Sequence, residues 1–309
     1  MQKPPKPKRL AVRNLAREES GTGLSFPPPR DVSIYTAPGA NHISAMPARF
    51  SPEDLLACYR RGVFPMADSR NDPRLFLVDP DFRGILPLDA FHIPKRLKRR
   101  VCQDPYRVSF DTAFTRVIEA CAEPNEGRPN TWINSSIVNL YSALHREGHA
   151  HSAECWDGDR LVGGLYGVAI GGAFFGESMF SRADDASKIA LVHLVARLID
   201  RGFVLLDAQF HNPHLEQFGL IEIPRDTFKA LLKKALKVPA SFHPPADQSM
   251  GSGSAAGSTG TAGSTAGGAS DSAMPAGVSS TSGSSPSGTI TRSGSFTGAG
   301  AVQRITQIS

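Results

Sequence analysis

The sequence contains little cysteine. Four of its 309 residues are cysteines, and they are widely separated: Cys58, Cys102, Cys121 and Cys155. Zinc sites and thiol redox motifs use closely spaced pairs, which are missing here. We therefore expect neither a disulfide scaffold nor a metal site, and we interpret the four residues as reduced, mostly buried thiols. The histidines likewise show no ligand spacing.

Long apolar runs are missing as well. No stretch approaches the roughly 18 consecutive apolar residues that a membrane span needs. The first thirty residues carry prolines and basic side chains instead of the apolar core of a signal peptide. With 40% hydrophobic and 20% charged residues, the chain can still bury a substantial core. The sequence predicts a cytoplasmic protein that has no membrane partner.

The middle of the chain also lacks an excess of basic charge, although the formal net charge is +5. Residues 1–30 hold seven Lys or Arg against two Glu, whereas residues 31–247 sum to −1. Global charge is therefore no argument for RNA binding. One dense basic run does occur in this middle part, at residues 95–100 (KRLKRR). It is interpreted either as a phosphate-binding surface or as the solvated face of a helix.

Composition divides the chain into four segments. Residues 1–39 are rich in Pro and Lys and predict a disordered basic arm. Residues 40–82 predict a small N-terminal domain, with a helix that begins at Ser51-Pro52 and a following stretch too irregular for a sheet of its own. Residues 243–309 consist mainly of Gly, Ser, Ala and Thr and predict a disordered tail.

The remaining segment, residues 83–242, has regular periodicity. Three strands joined by the turns Asp157-Gly158 and Gly171-Gly172 follow two helices, the first of which is predicted to be capped by Asp111. A long helix from about Asp185, a strand at 203–209 and shorter elements complete the unit. Helices that alternate with strands around central hairpins predict a mixed α/β sheet.

Several motifs in this segment, and one before it, resemble the leucyl/phenylalanyl-tRNA–protein transferase family. Any single motif could arise by chance, but the ordered set from about residue 50 to 236 is specific. The matching stretches are Tyr59-Arg60-Arg61-Gly62-Val63-Phe64-Pro65, Thr131-Trp132-Ile133, Gly163-Gly164-Leu165-Tyr166-Gly167-Val168, Gly176-Glu177-Ser178-Met179-Phe180-Ser181-Arg182, Ala186-Ser187-Lys188, Asp207-Ala208-Gln209 and Glu222-Ile223-Pro224-Arg225.

The resemblance implies both a fold and a reaction. The main domain is expected to be acetyltransferase-like (GNAT-like). The reaction would transfer leucine, phenylalanine or methionine from aminoacyl-tRNA to the free α-amino group of proteins that begin with Arg or Lys. Such acceptors become substrates of N-end-rule degradation. No cofactor is expected, and a monomer is the default assembly.

The resemblance also implies a catalytic pair. Asp207 and Gln209 lie two residues apart on a predicted strand, and this spacing places them on one face. By the resemblance, the side-chain carbonyl of Gln209 accepts a hydrogen bond from the attacking amine, and Asp207 orients that amide. From the pattern alone, the pair could equally be a polar strand end at a sheet edge.

The substrate contacts implied by the resemblance fall into three groups. Stacking on the terminal adenosine is expected of Tyr59 and Trp132. The apolar donor pocket is expected to include Leu165, Phe174, Met179, Leu191, Leu194 and Leu206. Polar contacts are expected from Glu177, for the donor's α-ammonium group, and from Asn212, whose place before Pro213 also fits a helix cap. Taken singly and by pattern alone, each apolar residue is better explained as ordinary core.

Lys95, Lys98 and Arg99 are expected to contact the phosphates of the tRNA acceptor stem. The sequence departs from the family pattern at Met66, where relatives place a tryptophan. It also departs at Cys102 and Gln103, where they place basic residues.

Two other functions remain open from the sequence. One is an acetyl-CoA-dependent N-acetyltransferase of the same fold. That activity needs a glycine-rich turn before a helix to bind pyrophosphate, and residues 181–184 (SRAD) lack glycine. The other is a non-catalytic RNA-binding module.

Overall fold

A computed structural model describes residues 42–45, 50–67, 69–72, 75–124, 130–243 and 296–308. These residues belong to one compact unit. The predicted basic arm, residues 1–39, and most of the predicted tail lie outside the described residues. No described helix is long and apolar enough to cross a membrane.

A small antiparallel sheet precedes the main one. Its strands are β1 (His42–Ala45), β2 (Phe64–Met66) and β3 (Phe76–Asp79), in the order β1-β3-β2. Helix α1 (Pro52–Arg60) begins at a capping box formed by Ser51 and Asp54, which confirms the predicted helix start. The expectation that no sheet forms here was wrong, because strands of three or four residues are too short to show alternation.

The main sheet has seven strands in the order β10-β4-β9-β8-β7-β6-β5. Neighbouring strands are antiparallel except β8 and β9, which are parallel and joined by a helical crossover. The strands are β4 (Phe82–Ile85), β5 (Arg107–Phe110), β6 (Ala150–Asp157), β7 (Arg160–Ile170), β8 (Ala173–Ser181), β9 (Leu205–Gln209) and β10 (Ile221–Pro224). The mixed α/β class predicted from the sequence is confirmed.

Helices enclose two hydrophobic clusters of this sheet unit. One cluster includes residues of α1, α3, α4 and α7, and the other includes residues of α2, the crossover helix α5 and the last described helix, α8 (Gly298–Thr306). The helices of the sheet unit are α2 (Lys95–Cys102), α3 (Phe114–Cys121), α4 (Ser135–Arg146), α5 (Ala186–Asp200), α6 (Pro213–Glu216) and α7 (Arg225–Ala235). Twelve residues of α5 are buried, so this helix is a central part of the core.

Asp111 does not cap α3 as predicted. The residue before that helix is Ala113, which has no capping side chain. Asp111 itself has a left-handed φ of 57°, and its carboxylate accepts a hydrogen bond from the backbone N–H of Ser152 at 2.7 Å. The side chain is thus committed to strand β6.

The end of the chain differs from the predicted disordered tail. Residues Gly298–Thr306 form helix α8, capped by Thr297, which packs against α2 and α5. Ala301, Val302 and Ile305 are buried there. Three buried apolar residues at i, i+1 and i+4 suffice for one helical face, but they were obscured by the low-complexity sequence around them.

Candidate active site

A pocket of about 290 Å³ lies between strands β8 and β9 and helix α5. Most of the residues that line it are apolar, and Glu177 and Asp207 lie in the same wall. The lining residues are Leu86, Trp132, Leu165, Tyr166, Gly176, Glu177, Ser178, Met179, Leu191, Leu194, Leu206, Asp207, Ala208, Asn212 and Leu215. A cleft lined mainly by apolar residues with a few polar groups is typical of a small-ligand site.

Most residues expected to contact substrate are brought together here. Of the ten named from the sequence, eight line the pocket: Trp132, Leu165, Glu177, Met179, Leu191, Leu194, Leu206 and Asn212. Asn212 also caps α6 by accepting a hydrogen bond from the backbone of His214 at 2.9 Å. A capping role and a place in the pocket wall therefore coexist in this residue.

The other two expected residues do not line the pocket. Tyr59 is fully buried, and its ring packs against Phe175 with centroids 4.8 Å apart, so it presents no face for adenosine stacking. Phe174 is also fully buried and packs against Phe203 and Phe242. Both residues support the site from within the core, which a residue pattern alone cannot distinguish from a pocket wall.

Glu177 is the centre of a hydrogen-bond network. Its Oε1 accepts from the Tyr59 hydroxyl at 2.6 Å and from Gln209 Nε2 at 2.9 Å, and its Oε2 accepts from the Tyr141 hydroxyl at 3.0 Å. Desolvation raises the pKa of Glu177 to about 7, although the three hydrogen bonds oppose this shift. The nearby Asp207 carboxylate raises it further. The group can thus change charge near neutral pH.

Asp207 forms a buried ion pair with Arg83. The guanidinium donates from Nε to Oδ1 at 2.9 Å and from Nη2 to Oδ2 at 2.6 Å, and the two side chains are 0–1% exposed. Arg83 also donates from Nη1 to the Gly62 carbonyl at 2.9 Å. Two-point pairing with a planar guanidinium fixes the plane of the carboxylate.

Gln209 ends strand β9 with a left-handed φ of 66°, a conformation uncommon for a residue other than glycine. Its backbone N–H donates to Asp207 Oδ1 at 2.9 Å. The expectation that Asp207 orients the Gln209 amide therefore needs correction. Asp207 holds the backbone, whereas Glu177 holds the side-chain amide, because the left-handed turn breaks the alternation on which the expectation depended.

Sequence reasoning missed Arg83 and Tyr141. Arg83 stands in the short strand Phe82–Ile85 beside apolar residues, where a charged side chain is costly unless it is paired. That cost was the available signal for Arg83. Tyr141 lies on the apolar face of α4, where nothing in the sequence distinguishes it from core.

The basic run forms helix α2. Lys95, Lys98 and Arg99 are exposed, whereas Leu97 and Val101 are buried against the core. The helix is thus amphipathic, and its charged face is open to solvent. Binding of RNA to this face stays a prediction.

A second polar cluster lies outside the pocket. Donor atoms of Asp111, His151 and His243 all lie within 4.8 Å of one another, a spacing that could hold a metal ion. Both histidines hydrogen-bond to the Asp111 carboxylate, and the Arg197 guanidinium lies 3.3 Å from His243 Nδ1. A neighbouring guanidinium disfavours a divalent cation. We interpret the cluster as a set of hydrogen bonds that holds the segment after α7 against strand β6.

Comparisons with known proteins identify the family. The family described as leucyl/phenylalanyl-tRNA protein transferase matches residues 85–233, and its N-terminal domain matches residues 48–81. A leucyl/phenylalanyl-tRNA–protein transferase from Hyphomonas neptunium is 79% identical over 269 residues, which is 85% of this chain and 100% of that protein. Proteins with the same name from Phenylobacterium zucineum and Caulobacter vibrioides are each 61% identical over 63% of this chain and 89% of their own lengths. The chain belongs to the leucyl/phenylalanyl-tRNA–protein transferase family.

Proposed function

We propose that this protein transfers leucine or phenylalanine, and also methionine, from aminoacyl-tRNA to the free α-amino group of proteins that begin with Arg or Lys. The product is a new peptide bond that labels the acceptor for N-end-rule degradation. The observation that carries the proposal is a pocket lined mainly by apolar residues together with Glu177 and Asp207, with Gln209 hydrogen-bonded to both acids.

The donor side of the reaction fits the pocket. Leu165, Leu191, Leu194 and Leu206 offer an apolar wall for an aliphatic or aromatic side chain. Trp132 lies in the same wall and is only partly buried, so its ring is available for stacking on the terminal adenosine. We assign to the Glu177 carboxylate, which also lines the pocket, the role of accepting from the donor's α-ammonium group.

The transfer step needs little base strength. An α-amino group has a pKa of about 7.7 to 8.0, so roughly a tenth or more is neutral at pH 7. Its nitrogen attacks the ester carbonyl carbon, the bond from that carbon to the ribose oxygen breaks, and the proton passes to that oxygen. The Gln209 Nε2 is taken by Glu177, which leaves the Oε1 of the amide to accept from the amine. Positioning supplies most of the acceleration.

We also propose a fold for the main domain and an assembly state for the protein. Residues 83–242 form an acetyltransferase-like domain, preceded by a small domain at residues 40–82. The parallel β8-α5-β9 crossover between antiparallel halves of the sheet supports this assignment. The protein acts as a cytoplasmic monomer, and Lys95, Lys98 and Arg99 contact the acceptor-stem phosphates.

The alternative function is transfer of an acetyl group from acetyl-CoA, and the experiment must distinguish it from transfer of an aminoacyl group from aminoacyl-tRNA. Asp185 stands at the start of α5 and pairs with Lys188 at 2.8 Å, which places an acid where a pyrophosphate would need backbone donors. The purified protein is given an Arg-starting peptide with either labelled leucyl-tRNA or labelled acetyl-CoA. We expect label from leucyl-tRNA alone, and none on a peptide whose amino terminus is blocked. Label from acetyl-CoA alone would overturn the proposal.

A further inference from the structure

The Arg83–Asp207 pair lies beneath the candidate site, since Asp207 reaches the pocket wall while Arg83 does not. We propose that Arg83 is a positioning residue for aminoacyl transfer: it fixes the Asp207 carboxylate, and that carboxylate in turn fixes the backbone turn that presents the Gln209 amide. The inference rests on the proposed function and adds to it a residue that acts through two others.

The surroundings of Arg83 leave its guanidinium almost no freedom. Three of its nitrogens donate hydrogen bonds, two to Asp207 and one to the Gly62 carbonyl. The rings of Phe64 and Phe228 lie 4.5 and 4.4 Å from its central carbon. A lysine carries the same charge but cannot make a planar, two-point contact or lie between two rings in this way.

The held carboxylate connects Arg83 to Gln209. Asp207 Oδ1 accepts both the Arg83 Nε–H and the backbone N–H of Gln209, each at 2.9 Å. The second bond stabilises a backbone conformation that few residues other than glycine adopt. If the carboxylate turned, this bond would be lost and the Gln209 amide would no longer be held against Glu177.

Strand β4 contributes to the same turn a second time. Gly84 pairs with Gln209, and a Cβ at Gly84 would lie 2.5 Å from the Phe210 carbonyl oxygen. The glycine therefore leaves the space in which the chain turns after Gln209. Arg83 supplies the guanidinium and the next residue, Gly84, supplies the space for the turn. Two consecutive residues of β4 therefore determine the backbone geometry at Gln209.

This arrangement changes the role of Asp207. Its charge is matched by a guanidinium, and both oxygens are occupied by donors. We therefore assign to Asp207 the role of accepting the backbone N–H of Gln209 rather than the proton of the reaction. Gly62 and Phe64 belong to the region before the main sheet, so that region also helps to position the reacting amide.

The test measures single-turnover transfer from saturating leucyl-tRNA to an Arg-starting peptide, together with equilibrium binding of leucyl-tRNA. Arg83→Lys should lower the transfer rate by about tenfold or more and leave the dissociation constant within about twofold. Arg225→Lys is the matched control, because Arg225 also binds carboxylates and carbonyls, at Asp79, Asp81 and Pro80, away from the pocket. It should leave the transfer rate within about twofold.

Chemical rescue separates positioning from a general loss of structure. Guanidinium at low millimolar concentration should raise the transfer rate of Arg83→Ala several-fold, whereas equal concentrations of sodium or urea should not. If this variant does not fold, Arg83→Met combined with Asp207→Asn removes both charges and avoids an unpaired buried ion. The folded double variant should be as slow as Asp207→Ala.

Two results would overturn the inference. One is a transfer rate for folded Arg83→Lys, or for the double variant, within about twofold of the unaltered protein. The other is a loss of leucyl-tRNA binding that matches the loss of rate. Transfer by the unaltered protein is measured in the same series, so failure of the proposed function would show there first and independently of any variant.

Discussion

At the scale of single residues, Glu177 is a buried group whose charge changes near neutral pH. Desolvation raises its pKa to about 7, and the hydrogen bonds from Tyr59, Gln209 and Tyr141 oppose that shift. Glu177 accepts a hydrogen bond from the Gln209 amide, and in the proposed reaction its ionised form also accepts from the donor's ammonium group. Transfer should therefore need one proton lost from Glu177 and one lost from the acceptor amine.

This requirement predicts the pH dependence of the single-turnover rate. Below pH 6.5 the logarithm of the rate should rise with pH about one unit more steeply in the unaltered protein than in Glu177→Gln, which cannot ionise. Ser178→Ala is a control in the same strand and should keep the steeper slope. Equal slopes in Glu177→Gln and the unaltered protein would assign the ionisation to another group.

The residue scale also shows where sequence reasoning reached its limit. Eight of the pocket-lining residues were named from the family resemblance, because its motifs keep a fixed order along the chain. The partner of Asp207 was not predicted, since Arg83 lies 124 positions away in a four-residue strand. The turn at Gln209 was missed because a left-handed φ leaves no mark on a side-chain pattern.

At the scale of elements, α8 shows how a short segment can add to the core. Val302 and Ile305 are 5% and 1% exposed, and the Gly298 N–H donates to Asp104 Oδ1 at 2.6 Å. A Cβ at Gly298 would overlap the Val101 carbonyl oxygen, so the helix start fits closely against α2. The helix was not predicted from the sequence, because the residues around it have a low-complexity composition.

This packing predicts a loss of stability when the buried face of α8 is cut back. Ile305→Ala should lower the free energy of unfolding by about 2 to 4 kcal/mol, the usual cost of a cavity in a core. At this chain size the melting temperature should fall by roughly 2 to 4 °C for each kcal/mol. Gln307→Ala, on an exposed position of the same segment, is the control. Identical melting temperatures for both variants would mean that α8 does not pack in solution.

The second element with a testable role is α2. Replacing Lys95, Lys98 and Arg99 by Ala should raise the Michaelis constant for aminoacyl-tRNA and flatten its salt dependence, because each phosphate contact releases a counterion. Turnover at saturation should change little. Replacement of the exposed Lys233, Lys234 and Lys237 by Ala, on α7 and just after it, removes the same number of charges and serves as the control. An unaltered salt slope would show that α2 is an ordinary solvated face.

At the scale of the whole molecule, buried titratable groups act on stability in opposite directions. Burial lowers the pKa of His193 to about 4, so the unfolded chain binds a proton that the folded chain excludes, and stability falls as pH drops below 6.5. Burial raises the pKa of Glu177 to about 7, so the folded chain binds its proton first and stability rises as pH drops below 7. The two effects nearly cancel.

Replacing either group should therefore reveal the pH dependence of stability that the other group causes. Between pH 7 and pH 5, His193→Leu should gain about 2 kcal/mol of stability relative to the unaltered protein, and Glu177→Gln should lose a similar amount. Denaturant unfolding at the two pH values measures both changes. For each variant, the change in unfolding free energy between the two pH values is compared with that of the unaltered protein. Differences of the same sign in the two variants would contradict the assignment of these buried groups.

The overall architecture was largely predictable, and the physical reason is length. The hairpin strands β6, β7 and β8 and the helix α5 are long enough to show a clear periodicity. The three strands are neighbours in the main sheet, and α5 packs on them. Strands β2, β3 and β4 have only three or four residues each, and β4 pairs with β9 and β10, which lie far away in the chain. Such contacts are set by tertiary packing rather than by local pattern.

The central claim is that Gln209, held by Glu177 and Asp207, accepts from the attacking amine. The most direct test is single-turnover transfer from leucyl-tRNA to an Arg-starting peptide by folded Gln209→Ala, Asp207→Ala and the double variant. Each single variant should be slower by about ten- to a thousand-fold, and the double variant little worse than the slower single one, because the two residues act as a unit. Binding of leucyl-tRNA should persist. Rates near that of the unaltered protein for both single variants would contradict the account and leave substrate positioning as the whole mechanism.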